Sequence, residues 1–190
     1  FVKFLFISPR FSGGIGGHAA MLAEQLQNSG HDVTKMKTPH IPIKNLKNPS
    51  FAVFGALMGI INRENYDIVH AFNIPSSFAM RFSKGKKKVL SIHGIFSDQV
   101  KALHSETIST IASNVESKVM KWPDKLTTDS KISQIEYKKK LDFDFECLPS
   151  PIDIKMFEKI GDVEKKEKQI VYLGRDSYEK GIDILRRIES

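Results

Sequence analysis

Residues 8–18 read Ser-Pro-Arg-Phe-Ser-Gly-Gly-Ile-Gly-Gly-His, which sets Gly13, Gly14, Gly16 and Gly17 directly ahead of a helical stretch. Glycine accepts positive φ and lets a ligand approach the main chain, so this segment can wrap a phosphate or a sugar with N–H groups. A plain turn needs one or two glycines, not four. Near the other end, Ile170-Val-Tyr-Leu-Gly-Arg-Asp-Ser-Tyr-Glu-Lys-Gly181 reads as a short strand, a turn at Gly174 and the first turns of a helix. Arg175 and Lys180 flank that junction. Free N–H groups, a positive helix end and two cations suit an anionic phosphate. Between these segments His70-Ala-Phe-Asn73 and His93-Gly-Ile-Phe96 fall at the carboxyl ends of expected strands, where ligands of open α/β sheets collect. His93 stands out because Gly94 leaves room beside the imidazole. His70 reads equally well as a ring packed and hydrogen-bonded beneath the sheet edge.

Other chemistries find no support. Gly14-Ile-Gly-Gly-His-Ala19 formally matches the dinucleotide pattern G-x-G-x-x-G/A, yet Pro9 to Ser12 separate it from the strand. The end of the second strand carries Lys35, Met36 and Lys37 where a ribose-binding acid is needed, so a nicotinamide cofactor is only a runner-up. There is no G-x-S-x-G elbow, no Lys-Ser/Thr pair after the glycines, no H-E-x-x-H and no aspartate-rich metal cluster. Neither a metal nor a resident cofactor is expected. Glu24 and Asp98 form no evident acid pair. The one cysteine, Cys147, rules out an intrachain disulfide and any cysteine-rich zinc site, and reads as a small core residue in Phe145-Glu-Cys-Leu148.

The elements that must position these residues alternate. Strands are expected at Val2–Ile7, His31–Met36, Tyr66–Ala71, Lys88–His93, Lys125–Thr128 and Phe145–Leu148. Helices are expected at His18–Ser29, Phe51–Asn62, Pro75–Lys84, Asp98–Met120 and Lys131–Lys140. Val2–Ile7 is an apolar run broken only by Lys3, as suits a central strand covered on both faces. The rhythm predicts an α/β fold with a doubly wound, Rossmann-like parallel sheet. Pro149-Ser-Pro151 interrupts it, and Asp162-Val-Glu-Lys-Lys-Glu-Lys168 has linker composition. The expected organisation is a Rossmann-like domain over 1–157, a charged linker over 158–169 and a further strand-turn-helix over 170–190.

A length of 190 residues holds one domain with a real core and a little more. The formal charge of +7 favours acidic partners such as nucleotides or phospholipid headgroups. The basic runs Lys84-Gly-Lys-Lys-Lys88 and Lys138-Lys-Lys140 lack interleaved aromatics, so they read as solvated faces and not as a nucleic-acid site. Phe1–Ile7 is too short for a signal peptide. Phe51–Ile61 is the longest apolar run and falls short of the ~20 residues of a membrane span. It reads as a buried helix or, with Lys44, Lys47 and Arg63 around it, as a helix at a membrane surface.

Taken in order and spacing, these pieces resemble one family. Gly-Gly-x-x-x-His with Leu22-Ala-Glu-Gln-Leu26, Gly30-His-Asp-Val33, Asp67-Ile-Val-His-Ala71 and Ser91-Ile-His-Gly94 carry the resemblance. Thr127-Thr-Asp-Ser130, Leu148-Pro-Ser-Pro-Ile-Asp153 and Gly174-Arg with Glu179-Lys-Gly181 extend it over nearly the whole chain. The chain resembles the amino-terminal half of a family-4-like glycosyltransferase of the GT-B fold, in which two Rossmann-like domains face a cleft. The resemblance implies transfer of a sugar from a nucleotide-diphosphate donor to an acceptor, with retention of configuration and without a metal. It implies that Gly13, Gly14, Arg175 and Lys180 meet the donor diphosphate and that His93 faces the transferred sugar near the reaction centre. Gly16, Gly17, His18, His70 and Asn73 are the candidate contacts to sugar or acceptor.

Two departures stand out: Pro149-Ser-Pro-Ile-Asp153 replaces the family's Pro-Asn-Gly-Val-Asp, and Asp176-Ser177-Tyr178 lacks the usual apolar residue after Gly174-Arg175. On this reading residues 170–190 open a truncated donor domain, and the chain alone is inactive. The acceptor is an unknown glycan or lipid, and the location is cytoplasmic, with peripheral contact to the membrane's cytoplasmic face as an extension. A non-catalytic Rossmann-like binding module is the alternative, and a nicotinamide-dependent oxidoreductase is the third choice.

Overall fold

The computed structural model describes residues 1–43, 46–94, 106–152, 154–158, 161, 164, 167–174, 176 and 181–188. The chain divides into two compact units, Phe1–Ile152 and Asp153–Ser190. In the first, β1 (Lys3–Ser8), β2 (Asp32–Lys37), β3 (Asn65–Ala71), β4 (Lys84–Ser91), β5 (Lys125–Thr128) and β6 (Glu146–Cys147) form one sheet in the order β2-β1-β3-β4-β5-β6. Every pair is parallel; Phe4 faces Val33 on one side and Ile68 on the other, and Val89 faces Lys125. The helices are α1 (Gly14–Asn28), α2 (Lys47–Ile61), α3 (Ser77–Phe82), α4 (Glu106–Val119) and α5 (Lys131–Leu141). This is the doubly wound, Rossmann-like α/β sheet that the sequence predicts.

The period of two along β1 divides the core. Leu5 and Ile7 join Val69, Ala71, Leu90, Met80, Val119 and Tyr137 on one face. Phe6 joins Ala19, Ala23, Val33 and Phe72 on the other, with Phe4, Leu22 and Leu26 packed against them. Leu5, Phe6 and Ile7 are all fully buried, which is why Phe4–Ile7 is apolar without interruption. From β1 the chain moves outward to β2 and then returns across β1 to β3. The crevice of such a sheet therefore opens at the carboxyl ends of β1 and β3.

Several boundaries differ from expectation for identifiable reasons. α1 begins at Gly14, not His18, so three of the four glycines lie in the helix's first turn, where the Gly17 N–H bonds the Gly13 carbonyl at 2.9 Å. α2 begins at Lys47 and includes Pro49, because a first-turn proline forfeits no intrahelical bond. Lys84-Gly-Lys-Lys-Lys88, read as a solvated face, is the first part of β4. Its backbone pairs with Asn65–Val69 while Lys86 reaches Asp67 and Lys87 reaches Asp124. Exposed lysines disguise a strand that is wet on its side chains and paired on its main chain. The expected Asp98–Met120 helix is described from Glu106; 95–105 lies outside the described residues.

The second unit contains α6 (Lys155–Glu158) and α7 (Ile182–Ile188) among its described residues. The strand expected at Ile170–Leu173 is not formed. A strand needs a neighbour's N–H and C=O groups, and no described residue of this unit offers a ladder. Arg175 and Lys180 lie outside the described residues.

Candidate active site at the carboxyl edge of the sheet

Gly13 (φ +56°) and Gly14 (φ +41°) occupy the left-handed region, where a side chain is strained. Both are exposed, and no side chain caps the helix they open. The N–H groups ahead of Gly17 in that first turn are thus left for water or a ligand. Gly16 has a different reason to be glycine: a Cβ there would stand 2.3 Å from the Arg10 carbonyl oxygen. Its role is to let residues 9–13 cross tightly over the helix, which the Ser8 hydroxyl reinforces by donating to that same carbonyl at 2.8 Å. Gly17 is helical and has nothing within 4 Å of a Cβ. The fold does not require a glycine at 17.

The three histidines fare differently. His70 lies inside β3, stacked on Phe72 at 4.1 Å and edge-on to Phe6 at 5.3 Å. Its Nε2 is 2.6 Å from the Ser91 hydroxyl, which is 2.6 Å from the Thr127 hydroxyl. Burial, reinforced by the nearby His18 and His93 rings, depresses its pKa to about 3, so the ring is neutral. It is a polar tie across β3, β4 and β5. His18 projects from α1, is 8% exposed and places its ring 4.9 Å from that of His93. Its Nδ1 is 2.6 Å from the Ser150 hydroxyl, so the strap leaving β6 is tied to the glycine helix. Burial first, and the His93 ring second, lower the His18 pKa. Asn73 sits past β3, where its Oδ1 accepts the Ser76 N–H at 2.7 Å and fixes the turn into α3.

His93 follows β4, continued by the Ile92 N–H bonding the Thr127 carbonyl. Its Nδ1 lies 3.0 Å from Asp129 Oδ2, and its side chain is 9% exposed. Its Nε2 is buried without a partner. Among the described residues five buried side-chain atoms lack one; those on Thr38, His93 and Thr128 stand at or just past the carboxyl ends of strands, and that on Ser76 stands at the start of α3. Unsatisfied buried polar atoms are rare in folded proteins, so the one on His93 makes this side chain a candidate contact for a polar ligand. The residue behind His93 is also held: the Tyr137 hydroxyl is 3.1 Å from the Gly94 carbonyl and 2.7 Å from the fully buried Glu116 carboxylate.

A family model of Glycosyltransferase Family 4 matches residues 12–155, which includes the glycine turn, all three histidines and Asp129. The chain belongs to glycosyltransferase family 4. An uncharacterized glycosyltransferase of Methanocaldococcus jannaschii is 24% identical over an alignment covering 94% of this chain and 56% of the relative. The chain thus spans little more than half the length of that relative.

Within this family-4 chain, four residues escaped the sequence reading. Asp129 follows the strand Lys125–Thr128 as His93 follows β4, so the strand-end position that singled out His93 applies equally to it. Ser150 stands within the Leu148–Asp153 motif and Ser91 at the head of Ser91-Ile-His-Gly94, but the sequence gives neither a role of its own. Arg10 has its guanidinium 4.0 Å from where a Gly13 Cβ would stand, a cation beside the exposed glycine turn. Among the described residues no group of three or more His, Cys, Asp or Glu side chains is placed to hold a metal ion.

Proposed function

We propose that the protein transfers a glycosyl group from a nucleotide-diphosphate sugar to an acceptor, with retention of configuration. One observation carries this reading: the uncapped, positive-φ glycine turn and the His18–His93–Asp129 group share the carboxyl edge of one sheet. The turn offers N–H groups to an anion, and the histidine group offers polar atoms to hydroxyls. Departure of a nucleotide diphosphate develops negative charge, which Arg175 and Lys180 neutralise electrostatically. The test is transfer from UDP-glucose and GDP-mannose by the enzyme carrying Arg175→Ala or Lys180→Ala. A strong loss in either supports the diphosphate grip, and normal turnover in both removes it. NMR of the product's anomeric proton decides retention.

The acceptor is read as lipid-linked, presented at the cytoplasmic face of a membrane. No helix among the described residues is long and apolar enough to cross one. α2, however, turns its small residues inward: a Gly59 Cβ would stand 2.5 Å from the Ala79 carbonyl oxygen of α3. Val53, Leu57, Ile60 and Ile61 are left 50–74% exposed, and Lys47 and Arg63 bracket them. An apolar face between basic ends suits the interface of an anionic bilayer.

A further inference from the structure

We infer that Asp129 is a positioning residue that holds His93 as its Nδ1–H tautomer, so that Nε2 offers a lone pair to a ligand hydroxyl. An ionised carboxylate can only accept, so the proton on the 3.0 Å contact between Nδ1 and Oδ2 belongs to the ring. In a neutral imidazole the other nitrogen is then an acceptor. That nitrogen is the buried one without a partner, an arrangement that costs free energy until a donor meets it. The His18 ring, whose own charged form is disfavoured by burial and by the His93 ring, leans edge-on against His93 at 4.9 Å between centroids.

The tautomer sorts ligand chemistry. A lone pair at Nε2 repels phosphate oxygens and attracts O–H, so His93 takes a hydroxyl while the glycine turn takes the anion. Asp129 does this without touching the ligand. It precedes Ser130, whose hydroxyl accepts the Ile132 and Ser133 N–H groups and fixes the start of α5. The carboxylate is therefore placed by the end of β5 and the first turn of α5 together. This inference deepens the transferase reading and rests on it for the nature of the hydroxyl.

Two measurements test it independently. The first is long-range ¹H–¹⁵N correlation on ¹⁵N-histidine-labelled protein at neutral pH, with His93 assigned by the loss of its signals in His93→Gln. We expect a protonated Nδ1 and an unprotonated Nε2. In Asp129→Ala, and in Asp129→Asn, which can offer an N–H in place of a lone pair, the proton shifts toward Nε2. A wild-type ring protonated on Nε2 or on both nitrogens, or shifts unmoved by both substitutions, overturns the inference. Circular dichroism melting confirms that the variants fold.

The second is turnover of UDP-glucose or GDP-mannose by the full enzyme, with and without acceptor. We expect Asp129→Ala to lower kcat about tenfold, the equivalent of one ordinary hydrogen bond. Equal loss in donor hydrolysis and in transfer places the hydroxyl on the donor sugar; loss in transfer alone places it on the acceptor. Unchanged kcat in both overturns the ligand half of the inference. A tautomer that depends on Asp129 in a protein that transfers no sugar leaves the positioning role standing and removes the transferase reading.

Discussion

The Ser91 hydroxyl lies 2.6 Å from His70 Nε2 and 2.6 Å from the Thr127 hydroxyl, which joins three adjacent parallel strands through side chains as well as through their ladders. All three residues are buried. Ser91→Ala leaves a buried imidazole nitrogen and a threonine hydroxyl without this partner. The expected loss is about 1–3 kcal/mol, which at ~2–4 °C per kcal/mol is measurable by thermal melting. A melting point unchanged from wild type would show that the chain does not support the sheet.

The same histidine predicts a pH dependence. Its folded pKa, near 3, lies below that of an unfolded imidazole, about 6.5. Between those values the unfolded chain binds the proton and the folded chain does not, so stability rises with pH. It is fully present above pH ~6.5 and is lost on acidification toward pH ~3, by at most about 1.4 kcal/mol per pH unit. His18, also shifted down, adds the same sign. Melting between pH 7 and pH 5 should show the slope, and His70→Gln should flatten it.

Three glycines of one residue type should respond in three ways. Gly59→Ala drives a methyl into the Ala79 carbonyl and should cost about 1–3 kcal/mol. Gly55→Ala meets its nearest neighbour at 3.4 Å and should be nearly neutral. Gly17→Ala fills open space in a helix and should stabilise by roughly 0.5–1 kcal/mol. If a ligand approaches there, the same variant loses transfer while its melting point rises. Gain of both stability and activity would remove Gly17 from the site.

Tyr137→Phe removes the hydroxyl shared between the Gly94 carbonyl and the buried Glu116. The ring, stacked on Phe145 at 4.4 Å, stays. A loss of about 1–3 kcal/mol is expected, with transfer reduced further because Gly94 follows His93. Wild-type melting and turnover would separate this contact from both roles.

The outward face of α2 gives a prediction of opposite kind. Leu57→Glu with Ile60→Glu touches exposed side chains, so melting should hold. Sedimentation with phosphatidylserine vesicles at low salt should occur for wild type, weaken with added salt, and disappear in the double variant. Wild-type protein left in the supernatant would refute the membrane reading.

The sequence by itself determined the sheet. Continuous apolar runs such as Phe4–Ile7, spaced by amphipathic helices, admit few arrangements, because strands buried on both faces must be parallel and covered. It also marked the glycine turn and His93, since glycine clusters and strand-end histidines are local signals. Only the tertiary structure assigned the parts. It made Gly16 a packing residue and left Gly17 open, and it turned His70 into a buried tie. It brought His18 to His93 from a distant element, and it set Asp129 against the ring. Each of these depends on which side chains the strand order makes neighbours. A residue's local pattern fixes its element and its end of the sheet, but the atom it meets across the edge is chosen by the fold as a whole.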